Sequence, residues 1–280
     1  MDTDIGGDPD DAIALAVASG LPELALVITS DEHDGRRARL ARHLLDLLGR
    51  EDVHVVAGKD LGNDAYWAAD GLIPEDIAAQ HGDVVAAVRD VLEQAGGGLV
   101  RWLSIGPMSN LATVITEIPD ATKRLIVTQM GGELNYRHAD RAEHNIRLDI
   151  PAARTVLGTG MRIWIMPADI TFHPENEITS SSIEYEMIAG AGGPWELIRA
   201  HLDQWFANFH PGTMQHDALA LALAMGMAFL RFSRKGVGFD EIGRMTAGDN
   251  PVFLTHSADY SLFRNWLCKW LDQVIASSAT

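Results

Sequence analysis

Cysteine is nearly absent from this chain: Cys268 stands alone among 280 residues. That excludes a disulfide framework and a cysteine-built zinc site, and it suits a reducing compartment. Basic residues are scarce too, 22 lysines and arginines against 39 aspartates and glutamates, for a formal net charge of −17. Neither nucleic acid nor an anionic membrane gains counterion release from such a surface, which disfavours both as partners. No apolar run reaches the ~18 residues of a spanning helix. The chain opens on acids rather than on the basic-then-apolar stretch of a signal peptide, so a cytoplasmic protein is expected. No Pro/Ser-rich linker or low-complexity stretch divides the sequence, and 47% of it is hydrophobic. One domain over residues 1–280 is the expectation.

What is present is an alternation of short apolar or β-branched runs with longer helical patterns. Strands are predicted at residues 24–29, 53–57, 99–105, 124–129 and 162–166, and helices at 36–49, 83–93, 110–118 and 151–157. This βα alternation implies an α/β fold with an open, mostly parallel sheet flanked by helices on both faces. After Thr171 the pattern turns helical, with helices expected at 194–209, 217–232 and 261–275. Ligands on such sheets bind at the C-terminal strand ends, which is where Gly6-Gly7, Gly106-Pro107 and Gly131-Gly132 fall.

The densest chemical signal is at the start. Asp2, Asp4, Asp8, Asp10 and Asp11 crowd with two glycines ahead of the apolar run 12–18. Carboxylates this close repel one another and take up protons unless a divalent cation balances them, and oxygen-only ligands suit a hard ion, Ca²⁺ or Mg²⁺. An EF-hand loop is ruled out, because Ile13 stands where a bidentate Glu is required. An aspartyl-phosphate phosphatase, with the Asp-x-Asp pair as nucleophile and acid, is an open alternative. A helix cap explains one or two carboxylates but not five. Further along, Gln215-His216-Asp217 opens a strongly apolar helix, and Ala142-Glu143-His144-Asn145-Ile146 follows Met130-Gly131-Gly132. Taken alone, these read as an N-cap and as turn chemistry.

Together the segments resemble the calcium-dependent nucleoside hydrolases of the inosine-uridine type. The order is Asp-Thr-Asp…Asp-Asp-Ala, Gly106-Pro-Met-Ser-Asn-Leu-Ala112, Met130-Gly-Gly132, Ala142-Glu-His-Asn-Ile146 with Asp149, and His216-Asp217. The resemblance implies an N-ribosyl hydrolase that cleaves ribonucleosides into ribose and free base with a calcium-activated water, as a homodimer or homotetramer. It assigns Ca²⁺ to Asp4, Asp11, Asp217 and the Ile105 carbonyl. Asp4 is also the general base, and His216, with a pKa near neutrality beside Asp217, is the acid for the leaving base. Asp10, Asp34, Glu143 and Asn145 are the sugar-binding positions, with His144 replacing the usual aromatic between the last two. Trp205, Phe206, Phe209 and His210 are candidates for the base pocket, although Trp205 and Phe209 sit at i and i+4 and suit core packing equally. A non-catalytic calcium- and ribose-binding protein on the same scaffold is the rival outside enzymology. The acidic loop is longer than the family's, which leaves open which of Asp8, Asp10 and Asp11 touches metal. Only Met1 precedes Asp2, so the central sheet is expected to lack the family's first strand.

Overall fold

The computed structural model describes residues 1–63, 65–138 and 140–278. Its strands are β1 (Asp2–Thr3), β2 (Leu26–Thr29), β3 (His54–Ala57), β4 (Val100–Ser104), β5 (Leu125–Met130), β6 (Arg162–Met166), β7 (Glu177–Thr179), β8 (Gly212–Met214), β9 (Leu230–Phe239), β10 (Met245–Ala247) and β11 (Asn250–Ala258). Nine of them form one sheet in the order β10-β9-β11-β6-β5-β4-β1-β2-β3, and β7 and β8 make a small antiparallel pair. The run from β11 through β6, β5, β4, β1 and β2 to β3 is parallel.

Helices cover both faces. Asp10–Ser19, His216–Ala224 and Tyr260–Ser278 contribute to one apolar core, and Val84–Gln94, Ser109–Glu117 and Ile150–Gly158 to the other. Strand β2 is buried at every residue because it has apolar neighbours above and below. The helix Asp10–Ser19 is also buried along its length. It packs against the helices Arg36–Leu47, His216–Ala224 and Tyr260–Ser278. The last helix buries Phe263, Leu267, Leu271 and Val274, one stripe at helical spacing. No helix among the described residues is long and apolar enough to cross a membrane.

Two expectations are corrected. The first strand is present, shortened to Asp2–Thr3, and it bridges β4 and β2. Backbone bonds Ile28 N to Met1 O (2.8 Å), Ser30 N to Thr3 O (2.9 Å) and Ile105 N to Asp2 O (2.8 Å) fill the ladder. A central strand needs only enough backbone to satisfy its neighbours, and two residues with their flanks suffice. Asn110, from the Gly-Pro-Met-Ser-Asn segment, secures the place, its amide donating to Asp2 Oδ1 (3.0 Å) and to Thr29 O (2.9 Å). The C-terminal part is not wholly helical either. The helix beginning at His216 stops at Ala224, Gly226 follows with φ +74°, and β9 and β11 form an antiparallel pair that β10 extends.

Chain order reverses at β1, with β2 and β3 to one side and β4, β5 and β6 to the other. Such a switch point leaves a crevice at the C-terminal strand ends, just where Asp4 and Ile105 leave β1 and β4.

Candidate active site

From β1 the chain makes a tight acidic turn before the helix Asp10–Ser19. Gly6 has φ +110°, and the Trp67 ring occupies the place where a Cβ would stand, so glycine is required there. The loop is tied down by its neighbours. The buried His201 ring meets Gly7 O at 3.0 Å, and the Thr213 hydroxyl donates to Asp8. Asp10 and Asp11 fall in the first turn of their helix and Asp217 in the first turn of His216–Ala224. Both helix N-termini direct partial positive charge at these carboxylates. Asp217 N donates to Asp10 Oδ2 at 3.3 Å, joining the two helix starts.

Asp10, Asp11 and Asp217 are buried, and each offers a carboxylate oxygen within 4.8 Å of the others. Burial raises the proton affinity of all three well above the ordinary carboxylate range, and their mutual repulsion raises it further. Burial also raises Asp4, against the pull of Arg37 and His144, and pushes Asp8 up to about 8. A hard divalent cation fits this oxygen-only set, since it supplies the charge that the carboxylates lack. The Thr3 hydroxyl donates to Asp11, and Arg37 donates to the Asp4 and Ile5 carbonyls, which fixes the loop from behind.

The trio differs from the expected metal set. Asp10, expected on the sugar, joins Asp11 and Asp217, while Asp4 stands to one side with Oδ2 3.8 Å from His144 Nε2. The Ile105 carbonyl accepts the Asn145 amide at 2.9 Å. Asn145 also donates to Met130 O at 3.2 Å, so it braces β4 against β5 as well as facing the cleft. Glu143 caps the short helix His144–Leu148, accepting from Asn145 N (3.0 Å), Ile146 N (3.1 Å) and Gly132 N (2.9 Å). Asp149 caps the next helix and accepts from Ser109 Oγ at 2.6 Å.

The clustered aspartates, Glu143 and Asn145 line a cleft of about 720 Å³ together with Tyr66, Phe172, Trp205, Phe209, His210 and His216. Trp205 stacks on Phe209 with ring centres 5.1 Å apart and donates its indole N–H to Gly212 O at 2.9 Å. The pair is therefore anchored and faces the cleft at once. Phe206 packs on Tyr185 and does not line the cleft. Asp34, expected at the sugar, is exposed, with φ +57°, and lies outside the cleft lining. In the turn before it, the buried Asp31 is the inward-facing acid, paired with Arg37 at 3.5 Å.

His216 faces the cleft, its Nδ1 2.6 Å from Thr171 Oγ1 and its ring edge-on to Phe172 at 4.6 Å. Burial drives its pKa down to about 3, with Arg137 and His144 adding to the effect. The ring is therefore neutral at pH 7, not poised near neutrality as expected. Asp217, which was to hold it there, is turned into the carboxylate cluster. Sequence reasoning also missed the wall made by Arg137, His138, Arg141, His144 and Arg147. The available signal was compositional, three arginines and two histidines within residues 137–147 of a base-poor chain.

A family model described as "Inosine-uridine preferring nucleoside hydrolase" matches residues 1–261. A pyrimidine-specific ribonucleoside hydrolase, RihA of Salmonella schwarzengrund (strain CVM19633), is 28% identical over 274 aligned residues, covering 88% of this chain and 86% of the relative. An uncharacterized protein of Schizosaccharomyces pombe, C1683.06c, is 30% identical over 61% of each chain. Among solved structures, the purine-preferring ribonucleoside hydrolase from Gardnerella vaginalis superposes with a TM-score of 0.82 at 20% identity, covering 98% of both chains. The distance of that likeness limits it to the fold.

Proposed function

The chain belongs to the inosine-uridine preferring nucleoside hydrolase family and is an N-ribosyl hydrolase, and from that premise we propose that it cleaves ribonucleosides with water activated over a calcium-loaded carboxylate floor. One observation carries the reading: Asp10, Asp11 and Asp217 converge, buried, at the base of a cleft large enough for a nucleoside. Those three would hold the ion, with Asp4 and the Ile105 carbonyl as further oxygen donors. When bound, calcium offsets the carboxylate charge and lowers the pKa of adjacent water.

In the reaction the water oxygen bonds to C1′, the C1′–N electron pair leaves with the base, and one water proton ends on the base. Asp4, at the edge of the trio, takes the water proton. The surrounding carboxylates favour the positive charge that develops on the sugar as the bond breaks. Asp10 would serve both as an ion-holding residue and as a partner of the ribose hydroxyls, and Glu143 and Asn145 meet the sugar with the lone pairs that their scaffold bonds leave. His216, neutral and held at Nδ1 by Thr171, is a hydrogen-bond donor to the departing base through Nε2. Tyr66, Phe172, Trp205 and Phe209 offer apolar faces to the base.

Free-base release from a panel of purine and pyrimidine nucleosides, with and without chelator, tests this reading. Release that requires the divalent ion supports it, and release unaffected by exhaustive chelation refutes it. Relatives named for pyrimidine and for purine preference both match this chain, so the panel also assigns the base.

A further inference from the structure

The stretch of cleft lining from Arg137 to Arg147 carries charge that the reaction as described does not use. Arg137 is accounted for, since its Nε donates to Glu133 Oε1 at 2.9 Å and its guanidinium lies over Phe172. Arg141 and Arg147 are not. Among the described residues no hydrogen bond or ion pair involves the Arg141 side chain, and the Arg147 guanidinium meets only the His144 ring, at 3.3 Å. Both are exposed and both line the cleft. In a chain with 39 acids and 22 bases, two guanidiniums at a cleft with no carboxylate partner are unusual.

They are not required as counter-charge for the floor. The fixed cation nearest the floor is Arg37, buried behind the acidic loop and bonded to the Ile5 carbonyl at 3.0 Å. A guanidinium left over at a binding cleft suits a doubly charged oxyanion, which it grips through paired N–H donors. On a ribose whose C1′ sits over the carboxylates, the exocyclic CH₂ group branches from C4′, across the ring oxygen from C1′. A substituent there leads away from the floor toward the walls, and phosphate on that carbon is the common anionic form of a nucleoside.

Resting on the hydrolase reading above, we propose that Arg141 and Arg147 form a phosphate subsite and that the preferred substrate is a nucleoside 5′-monophosphate. The balanced reaction is nucleotide plus water giving ribose 5-phosphate plus free base, with the phosphate ester left intact.

The test compares inosine and uridine with their 5′-monophosphates on the wild type and on the double variant Arg141→Ala/Arg147→Ala. Binding of ribose and of ribose 5-phosphate is measured in parallel by thermal shift. The wild type should favour the nucleotides by about 10-fold or more in kcat/KM, an advantage that shrinks with added salt. The double variant should lose that preference, and ribose 5-phosphate should stabilise only the wild type. Nucleosides turned over as fast as nucleotides, or a preference that survives in a double variant of normal Tm, would overturn the proposal. If neither class releases base, the hydrolase reading fails, and sugar binding alone decides the subsite. Arginine-dependent binding of ribose 5-phosphate upholds it, and equal indifference to both sugars rejects it.

Discussion

On the floor of the cleft, Asp10, Asp11 and Asp217 are buried at two helix starts that the bond from Asp217 N to the Asp10 carboxylate ties together, and Asp8 is clamped by Thr213. On the wall, Arg141 lies in the connection after β5 and Arg147 on a short helix, both open to solvent. The floor is preorganised and repels itself, so its geometry is held by the fold and its charge awaits an ion. On the wall, the Arg141 and Arg147 guanidiniums have no carboxylate partner among the described residues and stand exposed to solvent. The difference separates the chemistry shared with relatives from selectivity: changes to the floor should affect every substrate alike, and changes to the wall should sort one substrate from another.

The largest expected effect comes from breaking the floor. Asp217→Asn keeps the shape and removes one charge from the trio, and base release should fall by about 10³-fold or more on all substrates. Steady-state rates over the nucleoside panel check this, and a loss confined to one base would mean that Asp217 selects rather than supports the chemistry.

Stability should reveal the self-repulsion. Asp8, raised to about 8, holds its proton in the folded chain at pH values where the unfolded chain has lost it, as do Asp10, Asp11 and Asp217. The folded state therefore binds more protons than the unfolded state from about pH 4 upward, and the chelated protein should lose stability as pH rises toward 8. Asp2 and Glu32, raised by burial to about 7 and about 8, add to that slope from positions outside the cleft lining. Calcium should remove the part of the slope that belongs to the floor, so the gap in Tm between calcium and chelator should widen from pH 5 to pH 8. A constant gap would argue against ion binding at these carboxylates.

A smaller effect is expected at His216. As a neutral donor it contributes a hydrogen bond rather than a full proton, and His216→Ala should slow nucleosides by about 10- to 100-fold. A nitrophenyl riboside, whose leaving group needs no donor, should be nearly unaffected. Equal losses on both would make the ring a packing group. Smallest of all is Asp34→Ala: kcat/KM should stay within about 2-fold of wild type, because the side chain points to solvent outside the cleft. A loss of about 10-fold or more would return Asp34 to the sugar site.

The parallel half of the sheet was legible because strands such as 125–130 and 162–166 are apolar runs between periodic helices. The antiparallel edge was not. Along β9, Arg231, Phe232, Arg234 and Lys235 are all exposed, so no alternation marks the strand, and the apolar residues up to Leu230 prolong the preceding helical pattern. Strand β1 escaped notice because its two residues are held by neighbours rather than by their own pattern. The acidic cluster could be read locally as far as Asp11, while its closure by Asp217 came from family order, since 206 positions separate the two in the chain. The sequence could not show that Asp34 lies outside the cleft lining, because in the turn through Asp31, His33 and Asp34, all with positive φ, Asp31 is buried and Asp34 exposed. The arginine wall is a feature without periodicity, and only the fold brings it to the cleft that the acids line.

The central claim, that a divalent ion on Asp10, Asp11 and Asp217 makes this cleft a ribosyl hydrolase, is tested most directly by titrating chelator-stripped protein with Ca²⁺ while following base release. The account predicts no release at the start, a rise with added ion, saturation at one bound ion per chain, and no rise in Asp11→Asn. Full activity in the stripped protein, or an unchanged titration in that variant, would contradict it.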